Sequence, residues 1–554
     1  MKTMFAWLRS YRVPLALWVI CGLPLGAVAD DDDSHDGDTS SGGSSEVIAE
    51  HQGLTYQGPG TCLRCHADEA HEVFGSSHYQ WQGPDPFMLN LPNANRSKLS
   101  LINPSIAGGV NSYCGNIVGN WGGCSSCHIG RGTEPSATES TAQLENIDCL
   151  LCHQKAYKRK KDATTGLMVP DTANMAISMD QAVQTVHQPE RANCLQCHAK
   201  AGGGDAVKRG DLALATANTL DEHYDQHMAT TGANLQCQDC HVSQNHKIAG
   251  KGSDLRTTDL NTDISCGNSG CHSSKPHDAS SLNRHTTKVA CQTCHIPYYA
   301  KNAVDTAATE ATETHRTWQV PEWNAANNRF DPTPTLANNL VPKYQFWDRY
   351  STAYLLGDEA VKDPVTGNYP TSRPRGGVND PASKLFPFKY KTSDYPLHTS
   401  PVDGKKRLVA LNTSVYFKGG VNGTPNGDPT NAPYDAVASG LSNMAAMGIL
   451  PGSPSMSEVS WVTTDTYQLL NHQVGTEDDA VQCTQCHLSK VRMDLQGQLG
   501  YAASKTNTTC SSGCHSASKA RSWTRGSYSA FTKYHDKHVR GKGYGCVKCH
   551  SFSR

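Results

Sequence analysis

The chain has 554 residues, with 49 Lys and Arg set against 51 Asp and Glu for a formal charge of −2, a balance that leaves no electrostatic footprint for nucleic acid. Only 37% of its residues are hydrophobic, too few for a chain of this length to build its interior from aliphatic side chains alone. Its 22 Cys and 25 His are the unusual part of the composition.

At the start, Lys2, Arg9 and Arg12 form a basic region, Pro14 to Val28 an apolar one, and Ala27-Val28-Ala29 a small-residue cleavage site. Residues 1–29 therefore read as an export leader, which predicts a periplasmic or extracellular protein. The apolar run is too short, and too soon followed by Asp30 to Asp33, to span a membrane. Ile20 before Cys21 argues against lipidation there. No later segment reads as a span. Residues 30–55 are acidic and rich in Gly and Ser, as expected of a disordered linker.

Residues 56–300 hold seven cysteine pairs closed by a histidine: Cys62/Cys65/His66, Cys124/Cys127/His128, Cys149/Cys152/His153, Cys194/Cys197/His198, Cys237/Cys240/His241, Cys266/Cys271/His272 and Cys291/Cys294/His295. An eighth, Cys483/Cys486/His487, ends the segment 301–490, and two more, Cys510/Cys514/His515 and Cys546/Cys549/His550, lie in 491–554. Eight are regular C-x-x-C-H, whereas Cys266/Cys271 and Cys510/Cys514 are stretched. Chance would place about 0.04 regular motifs in such a chain, so the pattern is the attachment signature of c-type haem. Zinc ribbons share C-x-x-C but have no need of the adjacent imidazole, which haem uses as an axial ligand. Disulfides across two-residue gaps would close loops too short to add much stability. Ten haems are thus expected, leaving Cys21 and Cys114 unused.

With haem supplying the missing apolar interior, the expected fold is mostly α-helix plus irregular coil wrapped around a haem core, with little β. The motif-free stretch from Ile296 to Gln482, with "VPKYQFWDRY" and "LFPFKY", reads as long packed loops covering haems held by the first half. Within it, "SEVSWVTTDTYQLLNHQV" reads as a helix capped by Ser457, with Trp461, Leu469 and His472 at near-helical spacing.

Fifteen histidines lie outside the motifs; setting aside His35 and His51, which precede the first, thirteen remain as second axial ligands. The favoured set is His78, His187, His227, His246, His277, His285 and His472, with His535 and His538 for the C-terminal haems and His71 and His223 as further candidates. His315 and His398 read as structural or exposed. Two other stretches stand out. Cys114 is an isolated thiol in "NSYCGNIVGNWGGCSSCH", and a glycine run after Cys197 delivers Asp205 and Lys208 three residues apart. By themselves these read as a small buried residue and a solvated loop.

The strings "NSYCGN", "NIDCLLCH", "RANCLQCHAKAGGGDAVKRGDL", "LQCQDCH" with "HKIAG", "LNRHTTKVACQTCHIP" and "NHQVGTEDDAVQCTQCH" are similar to the octahaem tetrathionate reductase family, over roughly Thr61 to Leu488. The resemblance implies that the second haem is the reaction centre, its iron bound by a lysine from outside the motif, and that the others are bis-histidine. It implies Lys208 as that ligand, with Asp205, Asn111 and Cys114 around the substrate. The C-terminal two-haem extension and the stretched sixth motif depart from the family.

The resulting expectation is a multihaem reductase of a small sulfur or nitrogen compound: tetrathionate, nitrite or hydroxylamine. Its expected partners are that inorganic substrate and a redox-partner cytochrome or a quinol-oxidising donor, and a homo-oligomer is compatible with it. The alternative is a non-enzymatic electron conduit in periplasmic or extracellular respiration.

Overall fold

The computed structural model describes residues 49–81, 84–90, 125–250, 258–267, 271–278 and 280–482, and short stretches beyond (485–486, 492–495, 497–500, 503–504, 533, 536–542, 551–552). The leader and most of the linker lie outside the described residues, as do Asn111, Cys114, Cys124, Cys483, His487 and His535. So do both C-terminal motifs, Cys510/Cys514/His515 and Cys546/Cys549/His550.

The motif-rich half consists of short helices joined by turns. Among them are α1 (Gly60–Leu63), α2 (Ala67–Phe74), α3 (Ser77–Gln80), α4 (Leu150–His153), α5 (Arg191–His198), α6 (Cys237–Cys240), α7 (Ser280–His285) and α8 (Cys291–His295). Several coincide with the attachment motifs themselves, since one helical turn brings both cysteines and the following histidine to one end. Two small hairpins interrupt the helices: β1 (Arg159–Lys161) with β2 (Met168–Pro170), and β3 (Ser243–Gln244) with β4 (Lys247–Ile248).

The second half is a mixed seven-stranded sheet. Its spine is β11 (Lys384–Thr399), 16 residues long. On one side β11 runs parallel to β5 (Thr312–Asn324), which pairs with β6 (Arg329–Ala337). On the other it is antiparallel to β13 (Val459–Leu469), with Phe388 opposite Leu469 and His398 opposite Val459. β9 (Tyr369–Pro370) joins β13, while β7 (Lys343–Trp347) and β12 (Lys406–Leu408) pair with the two ends of β11. β8 (Ser351–Ala353) and β10 (Ser372–Pro374) form a separate pair.

This sheet corrects two expectations. Helix and strand are nearly equal, 23% and 21%, so the chain is not helix-dominated with little β. The stretch 296–482 is built on strands, and the segment read as a helix is β13; Ser457 sits in a 3-10 turn capped by Ser455. The physical reason lies in Val459, Val462, Thr463, Thr464 and Thr466, whose β-branched side chains lose rotamer freedom in a helix and pack well on a pleated surface. Residues 464–469 are buried on both faces, so the period-two alternation that marks a half-buried strand is missing.

Two helices cover the sheet: α9 (Thr413–Phe417) and α10 (Ala432–Ala446). Their core joins Trp318, Tyr395, Leu397, Leu408, Tyr416, Val437, Leu441 and Met444. Gly440 makes this approach possible, because a Cβ there would lie 2.3 Å from the Ala410 carbonyl oxygen. A substitution must push the helix away from the chain that follows β12, at a cost of roughly 1–3 kcal/mol.

The region after Lys490 does not leave this core at once. Met493 and Leu499 are buried with Tyr344, Phe346 and Leu385, and the Arg492 guanidinium donates to Pro297 O (2.7 Å) and Tyr344 Oη (3.0 Å). Truncation after Lys490 is therefore expected to lower the melting temperature below that of truncation after Tyr501. Equal melting curves for the two would show that 491–500 contribute nothing.

Candidate haem sites and redox centre

Six of the motif imidazoles face a second histidine. His66 lies with His51 at 5.9 Å between ring centroids, His153 with His246 at 6.4 Å and His198 with His78 at 6.2 Å. His241 pairs with His472 at 6.2 Å, His272 with His227 at 6.0 Å and His295 with His277 at 6.1 Å. Two imidazoles on opposite sides of one metal, each about 2 Å from it, place their centroids roughly 6 Å apart. The donor set therefore fits a six-coordinate iron at each of these motifs, the stretched Cys266/Cys271 site included.

The surroundings orient several of these rings. His153 Nδ1 is 3.0 Å from His187 O, His246 Nδ1 2.7 Å from Glu72 Oε2, His241 Nδ1 2.9 Å from Ala249 O and His472 Nδ1 3.1 Å from Asp211 Oδ2. An acceptor on Nδ1 fixes the tautomer and leaves Nε2 for a metal. Burial opposes the charge on Asp211, yet Arg209 and His472 hold its carboxyl well below the usual range.

The second motif is different. His128 is fully buried, with Nε2 2.5 Å from Tyr79 O and Nδ1 accepting from Gly130 N–H (3.0 Å). With Nδ1 an acceptor, Nε2 carries the hydrogen and donates it. Burial pushes the ring pKa down to about 4, so it stays neutral at ordinary pH. Among the described residues its ring neighbours are Tyr79 and Trp81. Arg159 locks this arrangement from β1, donating to the carbonyls of Ser126 (3.0 Å), His128 (2.5 Å) and Gly130 (2.9 Å). Both nitrogens of His128 thus meet backbone groups.

Lys208 is buried, 7% exposed, on the loop that leaves α5 after Cys197. That loop begins beside the second motif, where the Cys197 sulfur is 3.8 Å from Cys127 O. It turns through Gly202 and Gly203, at φ of +91° and +113°, and Ala206 is also left-handed at +59°. A Cβ on Gly202 would stand 2.9 Å from the Lys208 Cβ, so this fold-back requires glycine. Asp205 Oδ1 accepts from Leu214 N–H (2.8 Å), and burial raises its carboxyl pKa.

Motifs that are distant in sequence abut. The Cys62 thiol contacts that of Cys149, Cys127 that of Cys197, Cys194 that of Cys237, and Cys266 that of Cys291. Attachment sites one and three, two and four, four and five, and six and seven are therefore neighbours.

The second cysteine of a motif is not always as enclosed as the first. Cys65, Cys240 and Cys271 are exposed, while Cys62, Cys237 and Cys266 of the same motifs are half-buried. In the first motif the backbone turn brings the two cysteines together, Cys65 N–H donating to Cys62 O (3.2 Å). Cys294 and Cys486 are half-buried. Cys294 O accepts from Val481 N–H (2.9 Å), two residues ahead of Cys483, and Cys486 packs against the cluster of Tyr344, Phe346 and Leu385. Both lie near Tyr344, so the seventh and eighth motifs share a boundary. For Cys514 and His515, and for Cys549 and His550, the assignment rests on the motif spacing alone, because these residues lie outside the described ones.

Several of the remaining histidines meet protein groups. His187 donates through Nδ1 to Gln188 O (2.7 Å) and accepts the Lys155 N–H at Nε2 (3.0 Å), so it orients His153 through its carbonyl instead of facing a metal. Exposed His71 and His223 pair with Glu139 and Asp479, each at 2.9 Å. His315 lies against Thr392, and His398, fully buried, meets Glu458 at 2.8 Å. His285 ends α7, and His538 lies in a π-turn over Asp536–Arg540. His51 is the partner that sequence reasoning passed over, because it stands before the first motif; its signal was its place 15 residues ahead of His66. Replacing His51 with Ala should leave haem mass unchanged and convert one low-spin haem to high spin in the optical and paramagnetic resonance spectra. Unaltered spectra would remove His51 from the ligand set.

The family described as "Cytochrome c bacterial" matches residues 305–490, the sheet-bearing half. The fold is similar to the crystal structure of an octaheme cytochrome c from Shewanella oneidensis, with a TM-score of 0.62 and 26% identity over 82% of this chain and 95% of that one. A protein of Archaeoglobus fulgidus described as uncharacterized is 29% identical, with 36% of this chain and 78% of the relative aligned. These similarities support a multihaem c-type cytochrome, with haem c as cofactor and a redox or electron-transfer role. Among the described residues no helix is long and apolar enough to cross a membrane.

Proposed function

We propose that this cytochrome is an exported reductase of a small sulfur or nitrogen compound, working at the second haem with Lys208 as its axial ligand. The observation that carries this reading is the contrast at His128: six motif imidazoles face a second histidine at 5.9–6.4 Å, while His128 spends both nitrogens on backbone groups. A haem attached there needs another ligand, and the Lys208 loop starts at Cys197, in contact with Cys127. Haem bound at this motif supplies electrons and, with a single protein ligand, an open coordination position.

The residues divide the remaining work. Lys208, 7% exposed, binds a metal only as a neutral amine. Asp205, whose raised pKa eases proton uptake, can hand a proton to substrate as negative charge develops. Asn111 is suited to hydrogen-bond that charge, and the soft sulfur of Cys114 to hold a sulfur substrate. Tetrathionate, by the family resemblance, accepts two electrons into its central S–S bond, which breaks to give two thiosulfates. Nitrite and hydroxylamine are rival substrates of similar size and polarity.

The abutting cysteines favour a second reading on their own account. A run of adjacent attachment sites also suits an electron conduit, which has no use for a lysine-ligated haem. The Lys208→Leu variant separates the two. The expected result is a changed spin state or ligand field at one haem, the others unaltered, and reductase activity lowered by at least roughly 100-fold. Unchanged spectra and unchanged turnover of tetrathionate and hydroxylamine would leave the conduit as the function.

Haem stoichiometry is a separate expectation. All ten motifs keep both sulfurs and the histidine, so intact mass should correspond to ten haems per chain. In the Cys266→Ala/Cys271→Ala variant it should fall to nine. A wild-type mass already one haem short, and unchanged in that variant, would show the stretched sixth site to be unused.

A further inference from the structure

We propose that Lys389, in the middle of β11, is a positioning residue for Lys208: from inside the sheet it grips the backbone on which the ligand lysine is rooted. This rests on the reading of Lys208 as an iron ligand.

The Lys389 side chain is 1% exposed, and its ammonium donates to Val207 O (2.8 Å), Lys208 O (3.0 Å) and Thr312 Oγ1. Burial and the neighbouring Lys391 push the amine's pKa well below the usual lysine range, and its three acceptors surround Nζ in either charge state. Two of the three acceptors are the carbonyls flanking the Val207–Lys208 link. Burying an amine in a strand is costly compared with a Leu or Met of similar length, which would fill the same space. What the amine adds is three directed hydrogen bonds, all spent on or beside the Lys208 loop.

A second grip acts at the other end of the loop. Lys391, two residues along the same face of β11 and fully buried, meets Glu313 Oε1 at 2.7 Å. Glu313 holds Arg316 at 2.6 Å, and Arg316 Nη2 donates to Gly202 O at 2.7 Å. Between the two grips, Thr312 Oγ1 donates to Ala206 O (2.9 Å) and the Glu313 N–H to Val207 O (3.1 Å). The loop is therefore stitched to β5 and β11 at Gly202, Ala206, Val207 and Lys208. A lysine stem is long and flexible, so the amine reaches one defined point only if its Cα is fixed. The sheet is what fixes it.

The test uses the full-length holoprotein. Lys389→Met keeps the side-chain length and removes the three donors. With ten haems still attached, the optical and paramagnetic resonance signature of the lysine-ligated haem should split or shift toward a second ligation state, with bis-histidine signals unaltered and kcat/KM lowered by about 10–100-fold. Gly440→Ala, which disturbs the sheet–helix contact at Ala410, is the control: it should lower the melting temperature without touching that signature. Should Lys389→Met not accumulate, Thr312→Val, which removes one partner of the ammonium, should move the signature in the same direction by less. A wild-type signature retained in Lys389→Met, or in Thr312→Val where that is the variant obtained, overturns the proposal and leaves the reading of Lys208 intact. If the wild-type protein shows bis-histidine haems only, the reading of Lys208 itself falls, and the positioning role with it.

Discussion

The pairing of motif histidines with distant histidines is the interaction on which the rest of this structure depends. A motif supplies one imidazole, and the second must come from elsewhere in the chain. His198 faces His78 and His241 faces His472, so segments 120 and 231 residues apart are brought to within one ring-to-ring spacing of about 6 Å. Such pairs do for this chain what continuous aliphatic packing does for others. They also explain why the motif-rich half needs only short helices and turns: each helix has merely to present two sulfurs and a ring.

The sheet has a different task. Its core of Trp318, Tyr395, Leu408, Tyr416 and Leu441 is an ordinary apolar one. Yet the face of β11 bearing Lys389, Lys391 and Ser393 is buried and polar, and it lies against the Lys208 loop. A polar interior on this scale survives only if its groups are satisfied. Here Glu313 pairs with Lys391 and Arg316, while Arg316 and Lys389 meet the loop carbonyls. The segment matched by the bacterial cytochrome c family, residues 305–490, thus carries the support for a loop that lies outside it.

One departure from the six-fold pattern carries the functional reading. His128 keeps the motif, while Tyr79 O and Gly130 N–H meet its ring nitrogens and the Arg159 clamp holds its backbone. Tyr79 follows His78, which faces His198 of the fourth motif. The group that restrains the odd histidine is therefore one residue from the partner of its neighbour, so the second and fourth attachment sites share a wall.

The cysteine and histidine spacing by itself determined the cofactor, because thioether attachment and axial ligation demand residues adjacent in the chain. It also pointed to His78, His227, His246, His277 and His472, although not to which motif each faces, since that pairing depends on the path of the backbone. His51 and His187 exchanged roles for the same reason: only the fold shows that one ring meets His66 and that the other has both nitrogens occupied. The sheet was hidden because β11 and β13 are buried on both faces, which erases the alternation by which strands are read. Lys389 was out of reach altogether. A lysine in "LFPFKYK" reads as a solvated charge until the tertiary structure sets the carbonyls of Val207 and Lys208 against it, and hydrogen bonds across 181 residues leave no periodicity in a sequence.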